Sequence, residues 1–277
     1  MSVAKWGAVL CLAAGCGGAE PTPAAPPQPS ATPVTNGAAA PPAKGETEPT
    51  TAAQPTPVGQ AAGARLKPDT APSGSSAQRR MHAHFIDALL IRKAVIAGTP
   101  ERAADPAAAL TKTEKLDEVP ASWRAAVQRM QEIAGRINNS TSAAQAAGAT
   151  ADLGMACGGC HQTQGGPKAS NEPLPDAAGL TGRMQRHAWA TERLWEGLTV
   201  PSSEAWSAGA SALSASPFPP EILKQGGVHG RSAANDFAKL VAKAPTRKTA
   251  EERASLYAEL LVTCGGCHRA INEAGTK

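Results

Sequence analysis

Apolar residues recur every three to four positions through most of the chain after residue 75. This is the spacing of one face of an α-helix, and no stretch shows the strict alternation of a β-strand. Four helix starts are marked by capping residues in the first part of this region: Ser75 or Ser76, Asp105 before Pro106, Pro120 to Ser122, and Ser140 or Thr141. The pattern therefore predicts an all-α fold.

The same pattern then occurs a second time. The segment Arg80-Met81-His82-Ala83-His84 matches Arg183-Met184-Gln185-Arg186-His187 at an offset of 103 residues, and CGGCH at 157–161 matches CGGCH at 264–268 at an offset of 107. The helix starts in the second copy are Asp176, Ser202, Ser232 and Thr249, the last within a capping box, Thr249-Ala250-Glu251-Glu252. Two copies of about 100 residues each predict tandem four-helix bundles, at 76–165 and 175–277.

Composition separates these bundles from the preceding segment. Residues 17–75 are rich in Pro, Ala, Thr and Gly and contain no aromatic residue. Such a segment cannot bury enough apolar surface to fold, so we expect a disordered, semi-extended tether. One Tyr and three Phe in 277 residues imply cores of Ala, Leu, Val and Ile, to which a large cofactor would add apolar bulk. The net charge of +4 is small and evenly spread, which argues against nucleic-acid binding.

The first sixteen residues are typical of an export signal. Lys5 is followed by an apolar run that is too short to span a bilayer. The run ends in Leu12-Ala13-Ala14-Gly15-Cys16, which resembles a bacterial lipoprotein cleavage box. We expect a signal peptide at 1–16 and lipid attachment at Cys16, with ordinary cleavage and a soluble product as the alternative. By resemblance to lipoproteins, Gly17 points to the outer membrane, so the expected location is the periplasm.

Each CGGCH motif has the signature of c-type haem attachment. Two cysteines one helical turn apart can form thioethers with the two vinyl groups of a haem, and the adjacent histidine then reaches the iron from the proximal side. The predicted thioether residues are Cys157, Cys160, Cys264 and Cys267, and the predicted proximal ligands are His161 and His268. A four-Cys zinc site would join cysteines of two different repeats, and a thioredoxin-like pair would need a βαβ context. The sequence therefore predicts two covalently bound haem c groups.

A CxxCH motif on the last helix of a four-helix bundle resembles the class II c-type cytochromes, the group of cytochrome c′ and cytochrome c556. The resemblance covers roughly 78–162 and 178–272. In that family the first helix carries an Arg and, four residues later, the side chain that faces the distal side of the haem. Met at that place implies a six-coordinate electron carrier, and an apolar residue implies a five-coordinate haem that binds gases. Here Arg80 and Arg183 are followed by His84 and His187, which departs from both patterns.

Several residues are candidates for the distal side of each iron. His84 and His187 are the first choice, because they recur at equivalent positions and imidazole is a good iron ligand. Met81 and Met184 are the rivals. In a third interpretation the histidines only hydrogen-bond a propionate or a carbonyl, and the iron is five-coordinate. Arg80 and Arg183 are expected to contact haem propionates, with a solvated cation as the alternative.

Together these features predict a dihaem electron carrier with His/His ligation, which transfers one electron at each iron. Its expected partners are redox proteins, and its expected contact with the membrane is the N-terminal lipid. Dimerisation stays open, and enzymatic activity is not expected, because dihaem peroxidases resemble folds with an early CxxCH. The alternative function is binding or sensing of NO or CO at an open haem site.

Overall fold

The computed structural model describes residues 76–112, 115–176, 178–218, 223–224 and 227–275. Throughout these ranges the regular structure is helical and no strand occurs, which confirms the predicted all-α class. The predicted signal peptide at 1–16, Cys16 and the predicted tether at 17–75 lie outside the described residues. Within the described ranges, no helix combines the length and the hydropathy that are needed to cross a bilayer.

The described part of the first half contains four α-helices: α1 (Ser76–Ile96), α2 (Ala104–Lys112), α3 (Arg124–Asn138) and α4 (Ala143–Gln164). Helix α4 was expected to start at Ser140 or Thr141, but its cap is Ser142, whose side chain accepts a hydrogen bond from the Gln145 backbone N–H. The predicted start at Asp105 is wrong. Pro100 opens a 3-10 turn (Pro100–Ala103) that leads directly into α2, so Asp105 lies inside the first turn of that helix.

The second half contains α5 (Gly179–Thr199), α6 (Ser203–Ser214), α7 (Gly227–Lys243) and α8 (Ala250–Gly275). Ser202 caps α6 by accepting from the Ala205 N–H at 3.0 Å. The predicted capping box is confirmed, since the Thr249 hydroxyl accepts from the Glu252 N–H and the Glu252 carboxylate accepts from the Thr249 N–H, both at 3.2 Å. Ser232 was expected to start α7 but lies inside it, because the helix already begins at Gly227.

Both halves contribute to one continuous core. Helix α4 packs along α8, and α5 packs on α4, so that helices of different halves are direct neighbours. The buried cluster consists mainly of Ala, Leu, Ile and Val, as the composition predicts. Its centre holds two aromatic residues, Trp195 and Tyr257, with ring centroids 5.9 Å apart. The two repeats therefore share one apolar core, which stabilises the helices that carry the two CGGCH motifs. The division into separate bundles at 76–165 and 175–277 stays a prediction.

Candidate functional site

Both CGGCH motifs are helical and lie near the C-terminal ends of α4 and α8. The helical pitch places the two cysteines of each motif one turn apart on one face. The four thiols are free: Cys267 is buried, and Cys157, Cys160 and Cys264 are half-buried. Each motif thus presents two thiols side by side, followed by its histidine.

The thiols lie in an environment that favours their neutral form. Burial raises the pKa of Cys157 and of Cys264 to about 12, and a neighbouring cysteine of the same motif adds to the increase. Burial also raises the pKa of Cys160 and of Cys267. Among the described residues, no three His, Cys, Asp or Glu side chains are grouped so that they could hold a metal ion.

The orientation of His161 is set by a hydrogen bond. Its Nδ1 lies 2.7 Å from the carbonyl oxygen of Thr199, at the C-terminal end of α5. A carbonyl oxygen only accepts, so Nδ1 must carry the proton and donate it. In the neutral ring Nε2 then keeps its lone pair. This is the tautomer in which a histidine binds a metal through Nε2, and the bond at Nδ1 increases the basicity of that nitrogen.

His268 has an equivalent arrangement. It is half-buried and hydrogen-bonded to the backbone of Ile96, at the C-terminal end of α1. Burial lowers the pKa of His268, and the hydrogen bond partly opposes that change. The ring is therefore neutral at pH 7, as a metal ligand must be. Both predicted proximal histidines thus have their rings anchored on the backbone at the end of a helix.

His84, the first predicted distal ligand, lies on α1 and is only 7% exposed. Burial, with a smaller contribution from the positive charge of Arg80, lowers its pKa to about 4. The imidazole is therefore neutral at physiological pH, which is the form that can bind iron. The effect on its pKa also places the side chain of Arg80 near that of His84, in agreement with their spacing of one helical turn.

His187, the equivalent residue on α5, is already engaged. Its Nε2 donates to the carbonyl oxygen of Ser216 at 2.5 Å, and its ring packs against Phe218 and Phe237 with centroids 5.0 and 5.4 Å away. Burial lowers the pKa of His187, and His268 is close enough to contribute to that decrease. The two predicted ligands of the second half are therefore neighbours. To bind iron through Nε2, however, His187 would have to leave the Ser216 carbonyl.

The remaining predicted residues lie on the same two helices. Met81 and Met184 are half-buried, one turn before the histidines. Arg183 donates from Nη1 to the carbonyl oxygen of Pro217 at 2.5 Å. Arg183 and His187 thus hold the same short segment, 216–217, against the start of α5. Contact of Arg80 or Arg183 with a haem propionate stays a prediction.

Two features between α1 and α5 were not predicted from the sequence. A groove of about 590 Å³ opens beside His268, and its lining includes Phe85, Leu89, Ile96 and Trp189 from both halves. This volume lies within the range of about 300 to 1,000 Å³ for small-molecule and cofactor sites. The second feature is a buried guanidinium, that of Arg92, which contacts Glu192 and Tyr257. One signal was available: Arg92 interrupts the apolar positions of the first helix.

Comparisons with protein-family models, with curated proteins and with solved structures found no match to this chain.

Proposed function

We propose that this chain is an exported dihaem c-type cytochrome that transfers one electron at each of two irons. Cys157 and Cys160 would hold one haem, and Cys264 and Cys267 would hold the other. When bound, each haem supplies an iron that alternates between the ferric and ferrous states. The observation that carries the proposal is the tautomer of His161, whose Nδ1 is bonded to Thr199 and whose Nε2 is left as the ligating atom.

The chain's own residues would perform three tasks in this function. The two cysteines of each motif would form thioethers with the vinyl groups of a haem, which fixes the haem beside its helix. The backbone at Thr199 and Ile96 orients the two proximal imidazoles, which raises their basicity towards iron. His84 presents a buried, neutral imidazole from the first helix, in support of His/His ligation at one iron.

The remaining parts of the proposal concern location and partners. A lipid on Cys16 would anchor the protein to the outer membrane, and residues 17–75 would let the helical part reach redox proteins in the periplasm. These parts are supported by the export signal and by the composition of the tether.

Optical spectroscopy of the full-length protein, expressed with export and haem maturation, tests the proposal. We expect two haems per chain by the pyridine haemochrome assay and low-spin spectra in both oxidation states. Reduced protein should not bind CO. A chain that matures without covalent haem would refute the proposed function.

Binding of NO or CO is a second candidate, and the contact between His187 and Ser216 favours it for the second haem. If Nε2 of His187 keeps the carbonyl of Ser216 as its acceptor, the iron near His268 has an open distal side. The two variants His84→Ala and His187→Ala separate the candidates. An electron carrier with His/His ligation becomes high-spin at one haem in each variant. A gas-binding second haem already takes up one CO per chain in the wild type, and His187→Ala leaves its spectrum unchanged.

A further inference from the structure

We infer that the two sites exchange a positioning contact between the halves: each CGGCH helix packs, at its first glycine, against the end of the first helix of the opposite half. The role towards haem rests on the proposed function, whereas the exchange itself rests on packing. Its consequence is that each proximal histidine is positioned by a backbone carbonyl of the other repeat.

The first evidence is the close approach at the first glycine of each motif. A Cβ at Gly158 would overlap the carbonyl oxygen of Leu198 in the second half and would lie 3.0 Å from Cγ of Pro201. A Cβ at Gly265 would lie 2.6 Å from the carbonyl oxygen of Val95 in the first half. Atoms at such distances repel one another, so only glycine lets the helix backbones come this near.

The second evidence is that the contacts are equivalent in both places. Val95 and Leu198 correspond in the repeat, and so do Ile96 and Thr199, each pair at the offset of 103. Ile96 and Thr199 hydrogen-bond the motif histidines of the opposite halves. The same glycine contact and the same histidine contact thus occur twice, which is the pattern of two halves exchanged about a pseudo-twofold axis.

The third evidence is the buried contact that fixes α1 against α5. Arg92 and Trp195 also correspond at the offset of 103, and Cζ of Arg92 lies 5.5 Å from the centroid of the Trp195 ring. Arg92 forms an ion pair with Glu192 and donates to the carbonyl oxygen of Thr191 at 3.4 Å. Since α1 and α5 carry the carbonyls that hold the histidines, this contact fixes both sites relative to each other.

The second glycine of each motif provides a matched control. A Cβ at Gly159 or at Gly266 would meet no atom of the described residues within 4 Å. Gly158 and Gly265 are therefore positioning residues, whereas Gly159 and Gly266 occupy open space. On helix propensity alone, replacing any of these four glycines with Ala would favour the helix.

Thermal unfolding of the full chain tests the exchange without reference to haem. Gly158→Ala and Gly265→Ala should lower the melting temperature, and Gly159→Ala and Gly266→Ala should leave it unchanged or raise it. Equal melting temperatures for Gly158→Ala and Gly159→Ala would overturn the inference. This result stands even if the wild-type chain carries no haem, an outcome that refutes only the proposed function.

The haem measurement uses a contact partner from the opposite half. Pro201→Ala removes the ring atoms Cγ and Cδ, which lie 3.0 and 3.2 Å from the position of a Cβ at Gly158. Two backgrounds each retain one haem, because the other pair of cysteines is replaced with Ala. Pro201→Ala should shift the midpoint potential of the haem at Cys157 and Cys160 and leave that at Cys264 and Cys267 unchanged. Gly135→Ala, a substitution into open space on α3, should shift neither. A shift confined to the haem at Cys264 and Cys267, in the same half as Pro201, would overturn the inference.

Discussion

Glu192→Gln should destabilise the protein more than Arg92→Met, although Arg92 is the more deeply buried of the two residues. The Arg92 side chain is 5% exposed and that of Glu192 is 36% exposed. The guanidinium contacts the Glu192 carboxylate, the Thr191 carbonyl oxygen at 3.4 Å and the Tyr257 hydroxyl at 3.5 Å. Only the Glu192 contact compensates its charge.

The expected magnitudes follow from this difference. Removing one partner of a fully buried ion pair costs about 3–5 kcal/mol. Because Glu192 is partly exposed, water screens the charge, and we expect about 1–3 kcal/mol for Glu192→Gln. Arg92→Met removes the charge together with its desolvation penalty and keeps an unbranched chain against Trp195, so we expect a loss of about 1 kcal/mol or less. The Tyr257 hydroxyl still donates to the Thr191 carbonyl oxygen at 3.3 Å.

Urea unfolding at pH 7, followed by far-UV circular dichroism, measures these free energies in wild type, both single variants and the double variant. The double variant should be about as stable as Arg92→Met, because Glu192 matters only while the guanidinium is present. The reasoning is refuted if Glu192→Gln is neutral while Arg92→Met loses more than about 3 kcal/mol. That result would mean that the contacts with Tyr257, Thr191 and Trp195 stabilise the guanidinium without its counter-charge.

Three further predictions concern α4 and α8. Burial raises the pKa of Tyr257 from 10.0 to about 12, so the unfolded chain loses this proton first and stability should fall as the pH rises between these values. Because Tyr257 is the only tyrosine, near-ultraviolet absorbance reports its ionisation, which should occur only together with unfolding. Ionisation of Tyr257 near pH 10 in the folded protein would contradict this. On α4, Gly148→Ala should stabilise the protein by up to about 1 kcal/mol. Gly154→Ala should destabilise it, because the new Cβ would lie 2.6 Å from Trp195. Melting temperatures in the opposite order would contradict this prediction. Thr249→Ala should lower the free energy of unfolding in urea by about 1 kcal/mol, and Thr249→Asp should lower it much less, because Asp, unlike Ala, can replace the capping hydroxyl. Equal losses would exclude the cap as the cause.

Helix positions could be predicted wherever the signal is local. Ser202 and Thr249 each cap the helix that follows, because a short side-chain oxygen can reach the N–H groups of its own first turn. The cap of α4 is Ser142, one residue after the predicted Ser140 or Thr141. The same rule was wrong at Asp105 and Ser232. At Asp105 the 3-10 turn from Pro100 already continues into the helix, and at Ser232 the helix already extends back to Gly227, so neither residue lies at an end.

The sequence by itself determined the helical class, the repeat and the two CGGCH motifs, because each depends on residue types at short, regular spacing. Only the tertiary structure decided what each motif histidine contacts. Its acceptor is a backbone carbonyl of the other half, and every residue carries such a carbonyl, so the contact leaves no signature in the residue types. The role of Gly158 could not be predicted for a related reason. Gly158 and Gly159 are the same residue type, and only the close approach of Leu198 and Pro201 makes glycine necessary at position 158.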